Sequence, residues 1–205
     1  MRKSISYAIT VCNEAEELDR LLSHLSHYVQ AGDEVVVQAD ETNVTDDVKD
    51  VVKHYAHLIT RYVEYPLAFD FARFKNHLNE QCKGDFIFQL DADELPAQWL
   101  LEHLNDILNH YWWVELFKLP RINLFDGNSE REAWPDYQGR LYKNRPTRIR
   151  WHRPLHERIR GHLFYWHLPK DDRYALRHHK QRATDKAKWQ QWNRHKEEYL
   201  SQTAH

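Results

Sequence analysis

Three carboxylates stand together at Asp91-Ala92-Asp93-Glu94, directly after the apolar run Phe86 to Leu90. In an extended Asp-x-Asp the side chains alternate, so both aspartates are expected on one side of the chain. Two hard oxygen ligands at that spacing suit Mg²⁺ or Mn²⁺, ions that complete their shells with water and phosphate oxygens. An acidic turn capping the next helix explains the same three residues. Their place after a buried strand favours ligation, because open α/β sheets bind ligands at the carboxyl ends of their strands.

Other chemistries are excluded. The five glycines at positions 32, 84, 127, 139 and 161 leave no pair close enough for G-x-G-x-x-G or a Walker A loop. The run His156-Glu-Arg-Ile-Arg-Gly-His162 lacks the i+4 histidine of a zinc protease. Two cysteines, Cys12 and Cys82, are too few for a disulfide framework and fit a reducing compartment. No apolar run reaches the roughly 18 residues of a membrane span. With 41% hydrophobic and 29% charged residues over 205 positions, the chain is expected to fold as one domain. The net charge of −2 hides an asymmetry: 12 Lys and Arg against 25 Asp and Glu through Tyr137, then 17 against 6. A cationic second half fits either two lobes that neutralise each other or an anionic partner.

Elements that would position the carboxylates follow from hydrophobic period. Ile5 to Val11 reads as a strand, followed by a helical stripe of Leu18, Leu21, Leu22, Leu25, Tyr28 and Val29 with Asn13 as N-cap. Glu34 to Gln38 reads as a second strand, and Val48, Val51, Val52 and Tyr55 mark a second helix. A third helix carries Phe71, Phe74, Leu78 and Cys82 before the strand Asp85 to Leu90, and a fourth carries Leu100, Leu104, Ile107 and Leu108. This alternation predicts an α/β protein with a mainly parallel sheet flanked by helices. After about Tyr111 the pattern changes to short strands, at Val114 to Leu119 and Arg140 to Lys143, and a last helix is expected from about Asp185 to Leu200.

Several ordered blocks resemble glycosyltransferase family 2, the GT-A fold: Ile9-Thr-Val-Cys-Asn-Glu14, Glu34-Val-Val-Val37, Asp70-Phe-Ala-Arg-Phe-Lys-Asn76 and Gly84-Asp-Phe-Ile-Phe-Gln-Leu-Asp-Ala-Asp-Glu94. Trp134-Pro-Asp-Tyr-Gln-Gly-Arg-Leu-Tyr142, Leu155-His-Glu157 and Tyr174 to Lys180 resemble the branch of lipopolysaccharide-core glucosyltransferase-like and related phage proteins. The resemblance implies a single GT-A-like domain, with a nucleotide-sugar-binding half over 1–111, an acceptor-side half over 112–184 and a C-terminal helix over 185–205. It implies a nucleotide-sugar donor, a UDP-sugar first, and transfer with inversion to a hydroxyl of a glycan or glycolipid, as in polysaccharide biosynthesis. Asp93 would ligate Mn²⁺ or Mg²⁺, Asp91 would lie near the ribose or the metal, and Thr10, Cys12, Asn13 and Glu14 would lie near the nucleobase. Gln38 takes the place where many members read uracil with Asp, and Lys75 a place where Arg is frequent; Lys cannot form the bidentate fork.

An inverting transfer needs a carboxylate that takes the acceptor proton. Glu157 is the first candidate and Asp136 the second; an ion pair of Glu157 with Arg153, Arg158 or Arg160 is the structural alternative. His178 is the preferred third metal ligand, with His179 and His156 behind it. Arg140, Arg148, Arg150 and Lys180 are candidates to balance the diphosphate. Trp112, Trp113, Trp134, Trp151 and Trp166 would face the acceptor or pack the core. The chain is expected to be cytoplasmic, with peripheral contact at the inner membrane face through a helix bearing Trp189, Trp192 and Lys196. Two rival readings remain at this level: a nucleic-acid-binding module built on the basic aromatic tail, and an inactive binding protein of the same fold.

Overall fold

The structure, a computed structural model, describes residues 2–125, 128–130 and 134–180. The first half runs β1 (Ile5–Val11), α1 (Ala15–Leu25), β2 (Glu34–Asp40), α2 (Asp46–His54), β3 (Arg61–Tyr65), α3 (Phe71–Gln81) and β4 (Phe86–Asp91). There follow β5 (Glu94–Pro96), α4 (Gln98–Glu102), α5 (Leu104–His110), β6 (Leu116–Leu119), β7 (Arg121–Phe125) and β8 (Asn128–Glu130). The described part ends with β9 (Gln138–Lys143), β10 (Arg150–His152), β11 (Arg158–Arg160), β12 (Tyr165–His167), a 3₁₀ turn and β13 (Leu176–Lys180).

The main sheet has the order β12-β6-β9-β4-β1-β2-β3. β3, β2, β1 and β4 are mutually parallel, so their carboxyl ends share one edge, and β9 is antiparallel to β4. A second sheet, β5-β13-β7-β8, sets the late strand β13 beside β5, three residues past β4. The second half of the sequence is therefore woven into the first, through β6, β9 and β12 in one sheet and β13 in the other.

Both faces of the central strands are covered, which is why β1 is buried along its whole length. Alternation splits them by parity. Ile5, Tyr7, Ile9 and Val11 meet Val35, Val37 and Leu90 in one core, against Leu18, Leu21, Leu22 and Leu25 of α1. Each of those four leucines is fully buried and contributes on the order of 2 kcal/mol. The opposite face puts Ala8, Val36 and Ile87 against Ala72 and Leu78 of α3, with Tyr142 and Trp151 closing the layer. That second face also carries a line of buried polar groups, Ser6, Thr10, Gln38, Asp40 and Gln89, leading to the carboxyl edge.

Several sequence expectations are corrected. α1 ends at Leu25, and the segment to Val29 is a turn. Its N-cap residue is Glu14, not Asn13; the Glu14 carboxylate turns back to accept the Cys12 and Asn13 amides. β2 runs two residues past Gln38, to Asp40. The expected fourth helix breaks at His103 into α4 and α5. The expected helix 185–205 lies outside the described residues.

Candidate active site

Parallel register brings Thr10 level with Asp91, and the Thr10 hydroxyl donates to Asp91 Oδ1 at 2.7 Å. Asp91 is the last residue of β4, on the face of Ile87 and Gln89 that α3 covers. Lys75 reaches up from α3, whose N-terminus Asp70 caps by accepting the Arg73 amide at 2.9 Å. The Lys75 ammonium is 2% exposed and sits 3.0 Å from Asp91 Oδ1 and 2.8 Å from Glu157 Oε1. Arg140, buried on β9 one alternation from Tyr142, donates to Asp91 Oδ2 at 2.7 Å and to both oxygens of Glu94. Arg121 then joins Glu94 at 3.2 Å to Asp136 at 2.7 Å. Glu157, Lys75, Asp91, Arg140, Glu94, Arg121 and Asp136 thus form one unbroken chain of alternating charge, and the two base candidates stand at its ends. The Trp151 ring floors it, 4.9 Å from Lys75 Nζ and 5.8 Å from Arg140 Cζ.

Burial by itself would push all four carboxylates up, since a low dielectric disfavours the charged form. The cations reverse this. Lys75 and Arg140 hold Asp91 well below the usual carboxylate range, Arg140 holds Glu94 down, Lys75 holds Glu157 down and Arg121 holds Asp136 down. Burial likewise opposes charge on Arg140, but Glu94 and Asp91 raise its pKa. The four carboxylates are therefore held in their charged form.

Asp93 does not share a side with Asp91. Residues 92–93 form a turn between β4 and β5, so the period-two alternation expected of Asp-x-Asp is broken. The Asp93 carboxylate faces His178 on β13, Oδ2 to Nε2 at 3.1 Å. His178 Nδ1 meets Asn123 Oδ1 at 2.9 Å, and Asn123 points its amide nitrogen at Asp136 Oδ2 at 3.4 Å. Asn123 therefore accepts from Nδ1, which turns the ring so that Nε2 faces the Asp93 carboxylate. A carboxylate and an oriented imidazole in that relation fit a divalent cation as ligands. Among the described residues no three His, Cys, Asp or Glu side chains are grouped to hold a metal; of the three expected ligands, Asp93 and His178 face each other and Asp91 does not join them. Asp91 is already taken up by Lys75, Arg140 and Thr10. His179 contributes its backbone, donating to the Asp93 carbonyl at 2.9 Å.

The residues expected near a nucleobase are placed differently as well. Gln38 is fully buried, donating to the Phe74 carbonyl at 2.7 Å and meeting His77 at 2.6 Å, so it is internal to the fold. The residue at the end of β2 is Asp40, which accepts from the Leu67 amide at 3.0 Å and from Asn43 at 2.6 Å and lies 3.7 Å from Cys12 Sγ. Asp40 escaped sequence reasoning because the strand was ended two residues early. The turn residues Cys12, Asn13 and Glu14 stand at the same edge, after β1.

The loop bearing Glu157 has Arg153 and His156 at φ 75° and 53°, and the loop before α3 has Ala68 and Phe69 at φ 43° and 56°. The two are tied where the Phe71 amide donates to the Pro154 carbonyl at 3.1 Å. Four non-glycine residues in the left-handed region on adjoining loops are the kind of strain that gathers at working sites. Other candidates fall elsewhere. Arg148 pairs with Glu115 and Arg150 with Glu80, away from the charged chain, and the Lys180 side chain lies outside the described part. Trp134 is half-buried, while Trp151 is buried in the α3 layer. Trp112 and Trp113 precede β6, at the opposite end of the sheet from Asp91. The basic stretch behind the nucleic-acid reading begins at Gln138, and its part from 181 to 205 lies outside the described residues.

Solved structures share this architecture. TarS 1–349 of S. aureus in complex with UDP-GlcNAc is 16% identical with a TM-score of 0.65, over 88% of this chain and 59% of that one. The same protein with UDP gives 14%, 0.64, 87% and 60%. The mannosyltransferase PcManGT of Pyrobaculum calidifontis, in complex with GDP-Man and Mn²⁺, gives 19%, 0.51, 70% and 45%. The chain spans between 28% and 60% of the length of the TarS chains it matches. No curated protein sequence matches it. The mostly parallel sheet between helical layers is the GT-A fold, and the pattern of glycosyl transferase family 2 matches residues 6–178, so the chain belongs to that family.

Proposed function

We propose that the chain is a metal-dependent, inverting glycosyltransferase that moves a hexose from a nucleotide-diphosphate sugar, a UDP-sugar first, to a hydroxyl of a glycan or glycolipid of the lipopolysaccharide-core kind. The observation that carries this reading is the facing of Asp93, in the turn after β4, and His178, on β13, at 3.1 Å, at the carboxyl edge beside the buried Glu157–Lys75–Asp91 chain. The fold neighbours in complex with UDP-GlcNAc and with GDP-Man and Mn²⁺ support the donor class.

Asp93 and His178 would hold the ion, and a mixed carboxylate and imidazole set favours Mn²⁺ over Mg²⁺. When bound, such an ion supplies Lewis-acid charge for a departing diphosphate. The chain's own residues do the rest. The turn Cys12–Glu14, with Thr10 and Asp40 behind it, receives the nucleoside. Lys75 and Arg140 are saturated by Asp91, Glu94 and Glu157, so they position carboxylates and leave the diphosphate to other charges. Glu157 is 19% exposed, and among the described residues only its Oε1 is hydrogen-bonded, to Lys75. Its other oxygen takes the acceptor proton as the hydroxyl oxygen bonds to the anomeric carbon and the nucleotide leaves from the opposite face. Lys75 makes this carboxylate a weak base at rest, which suits a proton transfer that occurs late, as the attacking oxygen becomes acidic. Asp136 is held by Arg121, Gln138 and Asn123 together and serves as a structural anchor.

The test is release of nucleoside diphosphate from UDP-, GDP-, CMP- and dTDP-sugars with and without Mn²⁺. Turnover is expected with one donor only in the presence of the ion, falling about 100-fold or more in Asp93→Ala and in His178→Ala. Wild-type turnover by Asp93→Ala with metal supplied would refute the proposal.

A further inference from the structure

Seven large apolar side chains are strongly exposed among the described residues, and six of them sit in two short segments: Trp112 and Trp113, and Leu163 to Trp166. Leu163 is 73% exposed, Trp112 70% and Phe164 54%. The segments adjoin. The Glu115 and Leu116 amides both donate to the Phe164 carbonyl, and the Trp113 ring meets Phe164 and Trp166 edge-on at 5.9 and 6.2 Å. A contiguous group of this kind marks an interaction surface, whereas single exposed apolar residues do not.

Strand register locates the surface. Leu116 at the start of β6 pairs with Tyr142, which pairs with Ile87 near the start of β4. β6 is antiparallel to β9, which is antiparallel to β4, so Trp112 and Trp113 lie beyond the amino end of β4. Asp91 is five residues up that strand, about 17 Å away along it. Trp112 and Trp113 therefore stand at the far end of the sheet from Asp91, and Trp166, on the outermost strand β12, is separated from β4 by β6 and β9, away from the acceptor side that was one of the two roles expected of these residues.

Cations surround it. Lys143 donates to the Trp112 carbonyl at 3.0 Å, and Lys118 lies 4.5 Å from the Tyr165 ring centre. Burial lowers the Lys143 pKa, Glu115 opposes this, and Arg145, Lys3 and Arg148 add to it. The facing acid is Glu115, which is consumed by Arg148 and by the Leu163 amide at 2.7 Å. That brace, with Arg148 donating to the Gly161 carbonyl at 2.8 Å, fixes the 161–164 backbone while the Leu163 and Phe164 tips project outward. A rigid apolar tip inside a basic rim is complementary to lipid acyl chains beneath anionic headgroups. Among the described residues no helix is long and apolar enough to cross a membrane.

We infer that the surface formed by residues 112–113 and 163–166 docks the protein on an anionic lipid bilayer, with the catalytic edge pointing away from the contact. It fits the proposed glycolipid acceptor but does not depend on that reading. Cosedimentation of the full chain, tail included, with phosphatidylcholine vesicles and with phosphatidylcholine–phosphatidylglycerol vesicles is the experiment. Binding should require the anionic lipid and fall as salt rises. Trp112→Ser with Leu163→Ser should weaken it by about tenfold or more, and Arg145→Gln should weaken it less while steepening the demand for phosphatidylglycerol. Both variants alter exposed side chains, so unchanged unfolding temperatures are expected and control for folding. Equal vesicle binding by wild type and the double variant would overturn the inference. So would a concentration-dependent dimer that the double variant abolishes, since the surface would then bind a second copy.

Discussion

Replacing Lys75 by Met keeps most of the apolar stem while deleting the ammonium that lies between Asp91 and Glu157 and over the Trp151 ring. Removing one partner of a fully buried ion pair costs about 3–5 kcal/mol, because a charge is left uncompensated. Here the two carboxylates are 32% and 19% exposed, and Asp91 keeps Arg140 and Thr10, so water and the remaining donors offset part of that loss. A destabilisation of about 2–3 kcal/mol is expected, which in a chain of this size lowers the unfolding temperature by roughly 4–12 °C. Glu157 loses the one cation hydrogen-bonded to it among the described residues, so its pKa should rise and the acid limb of any rate profile should move to higher pH. The acid stability changes in the same sense. The folded-state pKa values of Asp91, Glu94, Glu157 and Asp136 lie below ordinary carboxylate values. They therefore stabilise the protein above the unfolded-state pKa, and that stability is lost as pH falls through the folded-state values. Lys75→Met should begin to unfold at a higher pH than wild type. Urea unfolding across pH, with Glu157→Gln and the double variant completing a cycle, measures the coupling. An additive cycle, or a Lys75→Met protein as stable as wild type at pH 7 and pH 4, would show that Lys75 is not the counterion of these groups.

Glu157→Gln should lower transfer by about 10²–10⁴-fold, with donor affinity by calorimetry unchanged, whereas Asp136→Asn should mainly lower the unfolding temperature; the reverse assignment would exchange their roles. Gly84→Ala would place a Cβ 2.7 Å from the Ser6 amide nitrogen, where β4 enters beside β1. A loss of about 1–3 kcal/mol in denaturant is expected, and an unchanged midpoint would contradict that close approach.

The strand and helix alternation from β1 to β4 was legible because its signal is local. Apolar residues repeat every two positions in β1 and at helical spacing in α1 and α3, and each element buries enough surface to impose that period. Short elements leave no such trace: β5, β10, β11 and β12 have three residues each, and a three-residue strand samples less than two full alternations. β3 was missed because its residues are half-buried, without a clear apolar face. The carboxyl-edge position of Asp91 and Asp93 was readable, and so was the candidacy of His178, since each follows an apolar run.

The partners of those residues were not readable, because they lie far away in sequence. Asp91 meets Thr10, Lys75 and Arg140, while Asp93 meets His178, 85 positions on. Two aspartates one residue apart serve different neighbours because a turn begins between them, and turn geometry follows from the pairing of β5 with β13 rather than from the local sequence. A charged side chain alone has the same chemistry in any fold. Whether it becomes a ligand, a base or an internal counterion depends on which opposite charge the packing brings within 3 Å, and only the tertiary structure decides that.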